Sequence, residues 1–401
     1  MSSSQFMQKV MSDPSAMKRY NRILSAIPSN ARALFNRNGS RYFLNSLTPA
    51  SGTSGSQIIQ FRILQVGRGV DGIQLALTFN NGTASTWNGN PFLAIQTCRL
   101  MSGDGNNVIT QIQAGGYDFF RNYCLLYTES QIANLSVNTN ISTTLAPGAG
   151  IPASSSATFL LPLKGFPWDA YNDMFNLQFK GDLILEFTMQ DSTFYTETGT
   201  ASTLTISNPQ IYLDTVEYVP SLQAALRQNI LNADYRFMCL ESLVYNQTTT
   251  MTASTQYSFT LTSLFGFCPA LFIAVYDMST ALGRRSPIPM TSFQILDSSG
   301  MNIIGGSVLP VSVMTAEMTE HFSESYMPRF FPEILYNFCE RPDLTLGEQI
   351  PTGWYNMTGF EQLILNTPST LATGSYLVTV SARIYTVLST DSSANLIKNT
   401  M

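Results

Sequence analysis

Apolar side chains fall on alternate positions across residues 58–66, with Ile59, Phe61 and Ile63 set against Ile58, Gln60, Arg62, Leu64 and Val66. This two-residue period is the signature of a strand with one face turned to a core. It returns at Ile73, Leu75, Leu77 and Phe79, then across residues 92–100, 107–112, 157–163, 182–189 and 209–219. After a break it resumes at 235–245, 256–264, 270–277, 293–296, 359–366 and 375–388. Turn-forming stretches separate the runs, among them Asn80-Asn81-Gly82, Asn88-Gly89-Asn90 before Pro91, and residues 146–152. A chain patterned this way is all-β, and its 401 residues exceed what one ordinary domain uses.

Helical spacing interrupts the alternation in three places. Residues 220–232 carry Leu222, Ala225, Leu226 and Ile230 on one helical face near mid-chain, which sets the domain boundary there. Residues 117–135 are predicted helical within the first half, and the acidic stretch 315–326 within the second. The halves also close alike, with the run from Asp182 and that from Pro209 matched by the run from Glu361 and that from Ser375. Two β halves with antiparallel turn spacing favour a pair of sandwiches or jelly rolls over one barrel.

The first 41 residues differ in charge. Seven basic residues there face Asp13 alone, whereas the other 360 residues hold 14 basic and 25 acidic ones. Asp13-Pro14 supplies a helix start, and Ala16, Met17, Tyr20, Ile23, Leu24 and Ile27 share one face with Lys18, Arg19 and Arg22 off it. Lys9, Lys18, Arg19, Arg22 and Arg32 are the candidate site residues of this basic arm. Its apolar face favours contact with lipid or neighbouring subunits over nucleic acid. The net charge of -5 argues likewise against a general nucleic-acid binder.

Catalytic chemistry finds few residues to use. A single histidine, His321, leaves no two-His metal site within one chain and little room for a nucleophile–imidazole pair. Its neighbours Glu317 and Glu320 are accounted for by a solvated helical face. Gly67-Arg68-Gly69-Val70-Asp71-Gly72 matches GxGxxG, but an alternating run follows it where a dinucleotide site needs a helix, so a hairpin turn is expected. The five cysteines have no paired metal spacing and are expected to be free thiols, and no metal or cofactor is predicted. The opening residues show no signal-peptide core and no run long enough to span a membrane, so neither secretion nor a helical anchor is expected. Charged residues make up only 12% of the chain, against 84 Ser and Thr. A surface polar mostly without charge suits coverage by other protein.

The residues from Arg329-Phe-Phe-Pro-Glu-Ile-Leu-Tyr-Asn-Phe-Cys-Glu-Arg-Pro-Asp-Leu, through Gly353-Trp-Tyr-Asn-Met-Thr-Gly-Phe-Glu-Gln-Leu-Ile-Leu-Asn-Thr, to Ser381-Ala-Arg-Ile-Tyr-Thr-Val-Leu resemble the C-terminal part of tectivirus major capsid proteins. Tectiviruses are tailless icosahedral bacteriophages with an internal membrane. Ile211-Tyr-Leu-Asp-Thr-Val-Glu-Tyr-Val resembles that family's junction between two jelly rolls. The resemblance covers about a quarter of the chain. It implies a double jelly roll of two consecutive eight-stranded units, with an arm over 1–50, rolls over 51–220 and 221–388, and a tail over 389–401. It further implies a homotrimeric, pseudo-hexagonal capsomer in the virion, assembled in the host cytoplasm. The implied partners are neighbouring capsomers, penton and minor capsid proteins, and the internal membrane through the arm, with no sequence-specific nucleic acid. Two rivals stand beside it: a jelly-roll carbohydrate-binding or spike protein using Trp87, Trp168 or Trp354 as sugar platforms, and a glycosidase using a carboxylate pair such as Asp214 with Glu217 or Glu340 with Asp343.

Overall fold

The computed structural model describes residues 41–45, 57–63, 69–82, 84–127, 129–141, 148–163, 175–176, 182–190, 204–216, 224, 227–228, 236–280, 285–303, 309–310, 333–339, 353–391, 393 and 395–399. Strands β1 (Arg41–Asn45), β2 (Ile58–Ile63), β3 (Gly69–Asn81), β4 (Ile95–Ser102), β5 (Val108–Ile112), β6 (Ser155–Pro162), β7 (Phe175–Asn176), β8 (Leu183–Met189) and β9 (Leu204–Val216) occupy the first half. They form two facing sheets, ordered β1-β9-β3-β6, with β7 added beside β3, and β5-β4-β8-β2. Apart from the β4–β5 hairpin and the short β7, sequence neighbours alternate between the sheets, which is the winding of an eight-stranded jelly roll.

The second half repeats that winding with β10 (Arg236–Met251), β11 (Gln256–Thr260), β12 (Phe265–Cys268), β13 (Ala270–Asp277), β14 (Ser292–Leu296), β15 (Leu309–Pro310), β16 (Ile334–Asn337), β17 (Tyr355–Thr358), β18 (Gln362–Asn366), β19 (Gly374–Thr390) and β20 (Leu396–Asn399). Its sheets run β10-β19-β13-β16 and β11-β18-β14-β15, while β12 and β17 form a separate ribbon and β20 folds back on β19. The fold is a double jelly roll.

One sheet passes through both rolls. A single parallel pairing, Ser242 with Ile112, joins β10 to β5 and so merges two four-stranded sheets. A row in register crosses the whole of it: Ile59, Phe187, Cys98, Ile112, Ser242, Arg383, Ala270 and Asn337. Residues in register share a face. In the first roll that face is the inside of the sandwich. In the second it is the outside, because Val378, Val380, Ala382 and Ile384 of β19 point the other way, into a core with Phe293, Leu363 and Leu365.

Two helices cover this reversed face and its surroundings. The helical stretch predicted over 117–135 is divided into α1 (Gly116–Leu126) and α2 (Glu129–Thr139), inserted between β5 and β6. Phe119, Tyr123 and Cys124 of α1 join a core that extends from the first roll to Ala270, Phe272 and Tyr385 of the second. That explains why nearly every residue at the start of α1 is buried.

Several local expectations change. Residues 91–94 form a 3-10 turn where a strand was expected from Phe92; Pro91 sets its first position and the Asn90 side chain accepts from the Phe92 amide at 3.0 Å. The expected hairpin at Gly67–Gly72 is not formed between β2 and β3, which lie in different sheets; Gly67 lies outside the described residues, and those from Gly69 are already strand, with a register shift between Val70 and Gly72. The segments 220–232 and 315–326 lie almost wholly or wholly outside the described residues, as does most of the span read as an arm, of which Arg41–Asn45 is strand β1 paired with β9. At the other end, β19 runs to Thr390 and β20 adds to it.

Candidate functional site: the seam between the rolls

The α1 helix meets the second roll through charge. Asp118 and Arg121 are each 1% exposed and Arg383 4%. Arg121 donates from Nη1 to Asp118 Oδ1 at 2.9 Å and from Nε to Glu333 Oε1 at 2.9 Å, and its Nη2 also bonds Glu333. Glu333 immediately precedes β16, the edge strand of the second roll's shared sheet. In the opposite sense Arg383 of β19 donates to Asn122 Oδ1 at 2.5 Å and stands 4.0 Å from Asp118, and the Ser381 hydroxyl donates to Asp118 at 3.1 Å. Each roll therefore sends one guanidinium across to the other. The Phe272 ring lies under both, 4.7 Å from the Arg121 carbon and 5.1 Å from that of Arg383.

The electrostatics follow from burial. Loss of solvent by itself raises the Asp118 pKa, but Arg383 and then Arg121, aided by hydrogen bonds, outweigh it and hold the carboxyl below its ordinary value. For Arg121 burial acts downward, and Glu333 and Asp118 reverse it, so the guanidinium is held more firmly protonated than usual. Burial lowers Arg383 in spite of Asp118. The four charges balance as two pairs, the arrangement in which buried ions are tolerated.

The other buried acids are also engaged. Glu361 accepts from the Thr358 and Gly359 amides and from the Thr358 hydroxyl; Glu186 accepts from Gln60 at 2.8 Å; Glu241 pairs with Lys398. These carboxylates serve turns and strand faces separately. Among the described residues no group of three His, Cys, Asp or Glu side chains is placed to hold a metal. A cleft of about 780 Å³ lies where Ser102 to Ile109 approach Asp182 and the β19–β20 turn, with Asp104, Asp182, Asp391 and Lys398 beside Val108, Leu183 and Leu396 on its walls. All five cysteines are buried, and burial pushes the Cys98, Cys239 and Cys268 thiols up, away from the reactive thiolate.

The residues singled out from sequence are not gathered here. Lys9, Lys18, Arg19, Arg22 and Arg32 lie outside the described residues, as do His321, Glu317, Glu320, Trp168, Glu217, Glu340 and Asp343. Asp214 lies on β9, in register with Arg41 of β1. Trp87 is no sugar platform: it is buried and stacked on Phe79 at 5.4 Å. Trp354 is half-buried with its ring edge-on to Phe267 at 6.1 Å. The seam itself was not anticipated. Its signals were an Asp and an Arg three apart in the aromatic stretch Tyr117-Asp-Phe-Phe-Arg, and a lone Arg383 inside an otherwise uncharged strand.

No protein-family model and no curated protein matches this sequence. Solved structures do resemble the fold. VP54 of PBCV-1, fitted into a cryo-EM reconstruction of the virophage Sputnik, gives a TM-score of 0.66 at 13% identity over 90% of this chain and 97% of its own. The Faustovirus major capsid protein gives 0.60 at 8% identity over 88% and 90%. The mavirus major capsid protein gives 0.51 at 10% identity over 90% of each chain. At such identities the likeness is one of fold, and these neighbours are double-jelly-roll capsid proteins. The tectivirus resemblance read from the sequence is compatible with them.

Proposed function

We propose that this chain is a major capsid protein whose homotrimers tile an icosahedral virus shell. The observation that carries this reading is the extent of the structural likeness, which spans 90% of this chain and 97% of the PBCV-1 subunit, and 88% and 90% for the Faustovirus major capsid protein. Composition supports it. Uncharged polar side chains lose less than charges when neighbouring copies remove their water, and only 12% of this chain is charged. Apolar side chains left bare on the single chain point the same way, with Val137 83% exposed in the first half and Phe265 61%, Phe360 66% and Met301 68% exposed in the second. The virion is accordingly its location, with assembly in the host cytoplasm, and neighbouring capsomers, penton and minor proteins its partners.

The division into an arm, two rolls and a tail, with the changeover near residues 220–232, belongs to the same proposal. So does an internal membrane, supported by the basic amphipathic pattern around Lys18, Arg19 and Arg22. Nothing in this function requires catalysis. Mass measurement in solution tests it: a particle of three 44.2 kDa chains is expected, and a protein that stays monomeric at high concentration overturns the reading.

A further inference from the structure

The backbone does little to fix how one roll stands against the other. Among the described residues, the sheet that passes through both is joined by one residue pair, Ser242 with Ile112, supported by the Gln113 amide donating to the Ser242 carbonyl at 3.0 Å and the Val244 amide donating to the Gln113 side chain at 3.1 Å. A junction this narrow can twist. Apolar contacts between α1 and the second roll, such as the Tyr117 and Tyr276 rings 5.1 Å apart, add attraction that is less directional than a charge-assisted hydrogen bond.

We propose that the four-charge network of Asp118, Arg121, Glu333 and Arg383 is the device that sets the orientation of the two rolls. Three observations converge on it. Its bonds are reciprocal, Arg121 of the first roll holding Glu333 of the second and Arg383 of the second holding Asn122 and Asp118 of the first. Its geometry is directional: Asp118 of the same helix holds one nitrogen of the Arg121 fork while the others reach Glu333 of the second roll, so sliding α1 by one residue breaks the Arg121–Glu333 bonds and the Arg383 contacts with Asn122 and Asp118 together. Its location is expensive, because buried ions rarely improve stability over apolar residues of the same size. Their better-attested use is to select one arrangement among several that an apolar surface would permit. The shared Phe272 ring beneath both guanidiniums closes the set. This inference rests on the seam alone and is independent of the proposed function.

Spin labels on introduced cysteines test it. Thr158→Cys on β6 and Ser258→Cys on β11 place one exposed label on each roll, and burial of all five native cysteines keeps the labelling selective. In the otherwise unaltered full-length chain the inter-label distance should be narrowly distributed. Arg121→Lys keeps the charge but loses the fork, and should broaden that distribution about twofold while hydrogen exchange in β14 and β18 of the second core stays slow. Arg121→Met should broaden it further. Arg62→Met, which removes a partly exposed pair with Asp182 inside the first roll, should leave it unchanged. A folded Arg121→Lys protein with the parent's narrow distribution overturns the proposal. If neither Arg121 variant folds, the network is a condition of folding and no setting of orientation, which overturns it equally.

Discussion

Asp118 is the residue on which the seam depends most, because it faces both guanidiniums and the Ser381 hydroxyl while almost wholly out of water. Its ionised form is what the native state holds, so its pKa lies below the ordinary 3.8. A depressed carboxyl contributes stability that is fully present above its unfolded value and is lost as pH falls through the folded one. Arg383 and Arg121 supply the opposing charge, Glu333 acts on Arg121, and burial keeps the neighbouring Tyr117 and Tyr276 hydroxyls neutral. Asp118→Asn should cost about 3–5 kcal/mol at neutral pH, because it leaves buried guanidiniums short of a partner. It should also flatten the decline in stability below about pH 4. Urea unfolding at a series of pH values checks both, and a variant with the parent's acid slope would show that Asp118 is not the group responsible.

At the scale of the element, α1 owes its position to two glycines. Gly115 has φ of +46°, and a side chain there would meet the Gln96 carbonyl; a Cβ on Gly116 would lie 1.9 Å from the Phe92 carbonyl oxygen. The helix therefore starts hard against the 3-10 turn of residues 91–94. Gly116→Ala should destabilise the protein by more than about 2 kcal/mol, whereas Gly300→Ala, with φ of +81° and open space around it, should cost only about 1 kcal/mol. Denaturant midpoints of the two variants check the contrast. The strands were legible in the sequence wherever one face is buried, as in β2, where Ile59, Phe61 and Ile63 are inside and Ile58 and Arg62 outside. The seam was not, for a physical reason. Strand β19 is buried on both faces, so its alternation separates two cores and not core from water, and Arg383 is paid for by groups more than 250 residues away in the chain. The helical stretch was readable as helix, but its division at residue 127, where Tyr127 leaves the helical conformation, was not.

For the whole molecule, the low charge and the two rolls fit the proposed capsid subunit, and the basic arm is the part of that proposal that can be tested separately. Each Lys or Arg near an anionic surface contributes about 1 kcal/mol. Deleting residues 1–27 should leave the number of chains per particle and the fold intact but weaken sedimentation with anionic vesicles. Equal binding by the truncated and full-length proteins would remove the membrane role of Lys9, Lys18, Arg19 and Arg22.

The shared sheet has its own consequence. The rolls follow one winding, yet the first hides its neighbour's outer wall beneath an eleven-residue helix for which the second shows no described counterpart. Twin parts have thus become unequal. Severed at mid-chain, one fragment would bare an aromatic helix and the other would offer water a flank holding Phe272 and a stranded arginine. Neither half is an independent brick, and the smallest unit that natural variation or engineering can shuffle here is the pair.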